Sequence, residues 1–211
     1  MSELHQALAR LPLIAILRGL RPDEAPGIGH ALAEAGFHAL EVPLNSPQPF
    51  ESIASLAEEL GTRALIGAGT VLQAADVERV AKAGGRLVVM PHGDPSVIRE
   101  AKRRGLLCVP GVATPTEAFA ALDAGADALK LFPAEMLPPV AVKAWRAVLP
   151  KDVRLMPVGG ITPEAMAPYL AAGADGFGLG SALYRAGMDP ATVSANAVRF
   201  VQAFAAACEA G

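Results

Sequence analysis

The chain is poor in aromatic residues, which make up 5% of it, and it has two cysteines, one tryptophan and five lysines among 211 residues. Two cysteines exclude a disulfide framework, and their separation, Cys108 to Cys208, has no metal-ligand spacing. Both read as reduced residues in or near the core. No run approaches the roughly 18 apolar residues of a membrane span. The opening segment, with Glu3, His5 and Arg10, lacks the continuous apolar stretch of a signal peptide, so the expected location is the cytoplasm. Nor is there an excess of positive charge. A formal charge of -3 predicts no nucleic-acid and no anionic-membrane partner, and Arg99, Lys102, Arg103 and Arg104 read as a solvated helix face. No Gly/Ser-rich or charged linker divides the chain, which predicts a single domain over residues 1–211.

Aliphatic residues are abundant instead, with 52% of the chain hydrophobic. Apolar, strand-like runs recur at Leu13 to Arg18, Ala39 to Leu44, Leu65 to Val71, Arg86 to Pro91, Leu107 to Val112, Ala128 to Pro133, Val153 to Gly160 and Gly176 to Ser181. Their starts lie 21 to 26 residues apart, the length of one strand, one helix and two short loops. Helical patterns between them open on prolines at Pro22, Pro95, Pro115 and Pro163, where a missing N–H costs nothing. They close on glycines at Gly36, Gly84, Gly105, Gly125 and Gly173, positions suited to a left-handed residue. Eight such units with right-handed crossovers predict an α/β fold, a single (β/α)8 barrel of the TIM type, with an open doubly wound sheet as the alternative. The last helix carries Val193, Ala197, Phe200, Val201 and Phe204 at helical spacing, which suits packing on the barrel or on a neighbouring subunit.

Polar residues at the C-terminal ends of barrel strands are where chemistry is expected. Lys130 is a lone lysine inside Ala128-Leu129-Lys130-Leu131-Phe132-Pro133, and Lys82, Lys102, Lys143 and Lys151 all fall on helices or turns. Burial disfavours an ammonium, so part of the population is a neutral amine, the form that adds to a ketone as a Schiff base. Glu41 is a second charge inside an apolar strand, Ala39 to Leu44. Burial raises its pKa from about 4.3 toward neutrality, where it can lend and recover a proton. The alternative for both is a buried ion pair that serves packing alone.

Arg18 ends the first run and Thr70 the third; a guanidinium fork and a hydroxyl suit a carboxylate or phosphate, or else a surface ion pair and a cap. Gly159-Gly160 and Gly180-Ser181 follow the last two strands, where glycines let backbone N–H groups approach a phosphate. His92 is read as a cap of the helix that follows it, outside the site. No grouping of His, Cys, Asp and Glu has ligand spacing, so no metal and no cofactor are expected.

Together, Leu13-Ile14-Ala15-Ile16-Leu17-Arg18-Gly19, Glu41-Val42-Pro43-Leu44-Asn45-Ser46-Pro47, Ile66-Gly67-Ala68-Gly69-Thr70-Val71, Ala128-Leu129-Lys130-Leu131-Phe132-Pro133 and Pro157-Val158-Gly159-Gly160-Ile161 resemble the 2-keto-3-deoxy-6-phosphogluconate and 6-phosphogalactonate aldolases. The resemblance runs from about Leu11 to Gly187 in one register. It implies a class I aldolase on a (β/α)8 barrel, assembled as a homotrimer, acting on a 2-keto-3-deoxy sugar acid phosphate. By it, Lys130 falls on the Schiff-base lysine and Glu41 on the proton-transferring carboxylate. Arg18, Thr70, Gly159, Gly160, Gly180 and Ser181 fall on positions that hold the substrate carboxylate or phosphate. Asn45 and Val158 look like specificity positions of the phosphogalactonate branch, whereas Leu131 to Glu135 looks like the phosphogluconate pattern. 4-Hydroxy-2-oxoglutarate is a further candidate substrate, and a non-catalytic sugar-phosphate-binding barrel is the alternative from another class.

Overall fold

Strands and helices alternate because each short apolar run, buried on both faces, is followed by an amphipathic stretch that covers it. In the computed structural model, which describes residues 3–209, helix α1 (Glu3–Arg10) precedes β1 (Leu13–Ile16). Then follow α2 (Ala25–Glu34), β2 (Ala39–Pro43), α3 (Pro49–Leu60), β3 (Leu65–Gly69), α4 (Ala74–Lys82), β4 (Leu87–Val89), α5 (Pro95–Arg103) and β5 (Leu107–Val109). The second half comprises β6 (Gly111–Val112), α6 (Pro115–Asp123), β7 (Leu129–Leu131), α7 (Pro139–Arg146), β8 (Leu155–Pro157), α8 (Met166–Ala171), β9 (Phe177–Leu179) and α9 (Pro190–Glu209).

All strand pairings are parallel. One sheet runs β5-β4-β3-β2-β1-β9 and a second β6-β7-β8, and an isolated parallel bridge joins Val158, just past β8, to Gly178 of β9. Strands consecutive in sequence are neighbours within each sheet, and the first strand pairs with the last. That order lacks the reversal of a doubly wound sheet. The run Leu107 to Val112 is divided, contrary to its apolar continuity. Pro110 has no N–H to offer a ladder, so β5 pairs with β4 while β6 pairs with β7.

The five helix-ending glycines all adopt positive φ, from 75° to 101°. Pro95 and Pro115 open α5 and α6, and Pro163 opens a short 3-10 turn before α8. Pro22 does not open α2. Its residues form the preceding turn, and Pro26 occupies the first turn of the helix.

The core has two layers. An outer layer between strands and helices holds Leu13, Ala15, Leu40, Val42, Leu129, Leu131, Phe177 and Leu179. An inner layer holds Ile14, Ala39, Leu65, Leu87, Val89, Val109, Ala128 and Met156, covered at the strand starts by Leu4, Ala7 and Leu8 of α1. Helix α9 buries Val193, Ala197 and Phe200 and packs on α2 and α8 of its own chain, with Val201 and Phe204 half-buried against the same core. Cys108 is buried, and burial together with Asp127 pushes its thiol up to about 12. Cys208 is exposed rather than near-core, because the last turn of α9 runs past the surface it packs on.

Candidate active site

Side chains along a strand alternate between two faces. Glu41 follows Ala39 by two residues and Lys130 follows Ala128 by two, so the period carries both into the inner layer, one step nearer the C-terminal strand ends. Arg18 follows Ile14 by four. Three ionisable groups thereby converge where the apolar interior gives way to the mouth.

Lys130 is 6% exposed and Glu41 2%. Burial, the largest cause, holds the Lys130 ammonium below its ordinary range; the Glu41 carboxylate opposes that shift and Arg18 adds to it. Burial likewise pushes Glu41 up to about 7, against the pull of Lys130 and Arg18. The two are not joined by a close ion pair, and Glu41 Oε2 is buried without a hydrogen-bond partner among the described residues. A packing salt bridge would have satisfied it. Lys130 Nζ instead lies 4.6 Å from the centroid of the Phe132 ring. Beneath Glu41 is Gly69, where an added Cβ would stand 1.8 Å from Oε2, so only glycine admits the carboxylate in this pose.

Arg18 ties the ends of the first three strands together. Its Nη1 donates to Asn45 Oδ1 at 2.5 Å and its Nη2 to Thr70 Oγ1 at 3.3 Å, while Gly19 N donates to Ser46 Oγ at 2.9 Å. Thr70 has φ of 52°, a left-handed conformation that costs a β-branched residue about 1–3 kcal/mol. That backbone holds its hydroxyl toward the guanidinium.

A cavity of about 590 Å³ opens over Lys130. Arg18, Lys130, Val158, Gly159, Gly160, Gly180 and Ser181 line it, so seven of the ten residues singled out from the sequence share one wall. Glu41, Asn45 and Thr70 do not line it. Glu41 lies buried among the strand ends, and the other two reach the cavity through Arg18. Gly159 and Gly160 take φ of 114° and 61°, conformations that favour glycine.

The lining also includes Phe132, Glu135, Tyr184 and Arg185, none of which was singled out from the sequence as a site residue. Glu135 lies over the double glycine: a Cβ on Gly159 would meet its Oε2 at 2.3 Å, and one on Gly160 its Oε1 at 3.1 Å. Tyr184 is buried, which with Glu24 raises its phenol to about 12. His92 is absent from this lining and does not cap α5. That cap is Asp94, whose Oδ1 accepts from Ser96 N at 2.7 Å. Among the described residues no group of three His, Cys, Asp or Glu side chains is placed to hold a metal ion, and no helix is long and apolar enough to cross a membrane.

The chemistry available here is amine addition to a carbonyl beside a carboxyl group able to exchange a proton near neutral pH. Comparison with known proteins points the same way. Residues 4–198 match the family described as KDPG and KHG aldolase. A Rhizobium meliloti protein named as a probable 2-dehydro-3-deoxy-6-phosphogalactonate aldolase is 52% identical over 193 residues, 92% of this chain and 91% of the relative. The 2-dehydro-3-deoxy-6-phosphogalactonate aldolase of Escherichia coli is 50% identical over 195 residues, 92% of this chain and 95% of its own. A solved structure described as native KDPGal superposes with a TM-score of 0.93 at 49% identity, covering 95% of this chain and 97% of that one.

Proposed function

This chain belongs to the KDPG and KHG aldolase family, and on that premise we propose that it is a class I aldolase cleaving 2-dehydro-3-deoxy-6-phosphogalactonate to pyruvate and D-glyceraldehyde 3-phosphate. The observation that carries this reading is the buried, cavity-lining Lys130 set near a Glu41 carboxyl group whose Oε2 has no hydrogen-bond partner among the described residues. The relatives that share about half of the sequence are the ones named for the phosphogalactonate, which favours that C4 epimer over the phosphogluconate.

Neutral Lys130 adds to the C2 ketone, and loss of water leaves an iminium ion, an electron sink next to C3. Glu41, as the carboxylate, takes the C4 hydroxyl proton directly or through a water. The C3–C4 bond then breaks, its electron pair moving into the enamine, and D-glyceraldehyde 3-phosphate departs. Glu41 returns the proton to C3, and water hydrolyses the iminium to free pyruvate and Lys130. A carboxyl group with a pKa near 7 suits both directions of transfer. Arg18, positioned by Asn45 and Thr70, binds the substrate carboxylate; Gly159, Gly160, Gly180 and Ser181 bind the phosphate; Val158 and Asn45 set epimer preference. This chemistry uses no cofactor or metal.

The same reading extends to the whole chain as one domain over residues 1–211, with the two sheets taken as a single closed (β/α)8 barrel. Support comes from the pairing of first and last strands, the Pro110 junction and the Val158 to Gly178 bridge. It further includes a cytoplasmic homotrimer.

Borohydride reduction with pyruvate is expected to add a pyruvyl-derived mass to Lys130 and none to the Lys130→Met protein. A label elsewhere, or cleavage by that variant at the native rate, overturns the Schiff-base assignment. Comparing kcat/KM for the two phosphorylated epimers tests the substrate, and a preference for the phosphogluconate reverses it.

A further inference from the structure

Four charged side chains line the cavity: Arg18, Lys130, Glu135 and Arg185. The proposed substrate is anionic at both ends, a carboxylate at C1 and a phosphate at C6. Arg18 has two of its nitrogens committed, to Asn45 and Thr70, and with Lys130 serves the keto acid end. The glycine loop assigned to the phosphate is faced by the Glu135 carboxylate, which packs on Gly159 and Gly160. Backbone N–H groups so placed, beside a fixed negative charge, make a poor site for a phosphate unless a cation offsets it.

Arg185 is the cation at that end. Its Nε donates to Ser181 O at 3.0 Å, which fixes the plane of the guanidinium against the turn that follows β9. Its Nη1 and Nη2 have no hydrogen-bond partner among the described residues, and the side chain is exposed at the mouth. A guanidinium held by one nitrogen and free at the other two is arranged for bidentate contact with a phosphate. We propose that Arg185 is the residue by which this enzyme recognises the phosphoryl group, selecting phosphorylated over unphosphorylated 2-keto-3-deoxy acids. The inference rests on the aldolase reading above and adds the determinant of its substrate class. No covalent step involves Arg185.

The test compares kcat/KM for the phosphorylated six-carbon acid with that for the same acid lacking phosphate, in wild type, Arg185→Ala and Arg185→Lys. Loss of a charge-assisted bidentate contact is expected to lower the ratio of the two values by about tenfold to a hundredfold in Arg185→Ala, through KM. Arg185→Lys restores part of the ratio. Because Nε also braces the turn at Ser181, a structural role predicts equal loss on both substrates, and an unaltered ratio overturns the proposal. Should Arg185→Ala fail to fold, Arg185→Gln, which keeps a donor and removes the charge, carries the same comparison. Borohydride capture of pyruvate on wild-type Lys130 separates the two failures: no capture defeats the aldolase reading, whereas capture with an unaltered ratio defeats Arg185 alone.

Discussion

In the proposed mechanism, the raised pKa of Glu41 couples stability to chemistry. Its folded pKa, about 7, lies above the 4.5 of an unperturbed glutamate, so the folded chain binds that proton more tightly than the unfolded one. The resulting stabilisation is fully present below about pH 4.5 and is lost as pH rises through about 7, on the order of 3 kcal/mol. Glu41→Gln removes the titration. Denaturation midpoints of wild type are therefore expected to fall relative to the variant between those pH values, while turnover of Glu41→Gln drops and imine formation persists. Parallel midpoints across that range would exclude the shift. Gly69 makes a second test, since the Cβ of Gly69→Ala would stand 1.8 Å from Glu41 Oε2. Displacing the carboxylate by about 1 Å is expected to cost about a hundredfold in kcat, and native turnover would show that its position is not needed. Lys130 and Glu41 were legible in the sequence because a charge inside an apolar run is costly without a purpose. Gly69, Glu135 and Arg185 were not, because their roles depend on atoms from other strands and loops.

At the scale of elements, the same device is built twice. Ala124-Gly125-Ala126-Asp127 and Ala172-Gly173-Ala174-Asp175 each end a helix on a left-handed glycine and place an aspartate at the start of the next strand. Asp127 Oδ2 accepts from Cys108 N at 2.8 Å and Lys102 Nζ at 2.6 Å. Asp175 Oδ2 accepts from Leu155 N at 2.7 Å and pairs with Arg146. Each carboxylate thus ties a strand start to its neighbour and to the preceding helices. Asp127→Ala leaves a half-buried N–H and ammonium unpaired, and a loss of about 1–3 kcal/mol is expected from urea unfolding. A midpoint within error of wild type would show the tie to be dispensable. The helix ends at the five glycines and the starts of α5 and α6 at Pro95 and Pro115 were legible, because these backbone preferences are local, whereas Pro22 fell in the turn before α2. These ties and the break at Pro110 required knowing which strands are neighbours.

For the molecule as a whole, α1 covers the strand starts while the cavity opens at the strand ends, so stability and chemistry occupy opposite faces. Met136 and Val140, beside the cavity loop, are 76% and 72% exposed in the single chain, apolar surface that a trimer can cover. Sedimentation equilibrium is expected to give three times the chain mass of 21.6 kDa; a monomer at micromolar concentration would refute the assembly. The order of hydrophobic and polar residues by itself determined the alternation of strands and helices and the two charges bound for the interior. Those follow from side-chain period and transfer free energy, which act along the chain. Only the tertiary structure decided that Glu41 meets Gly69 rather than a salt-bridge partner, and that Arg185 and Glu135 share a wall with Lys130. Such meetings are set by register between segments far apart in sequence, and no local preference encodes that distance.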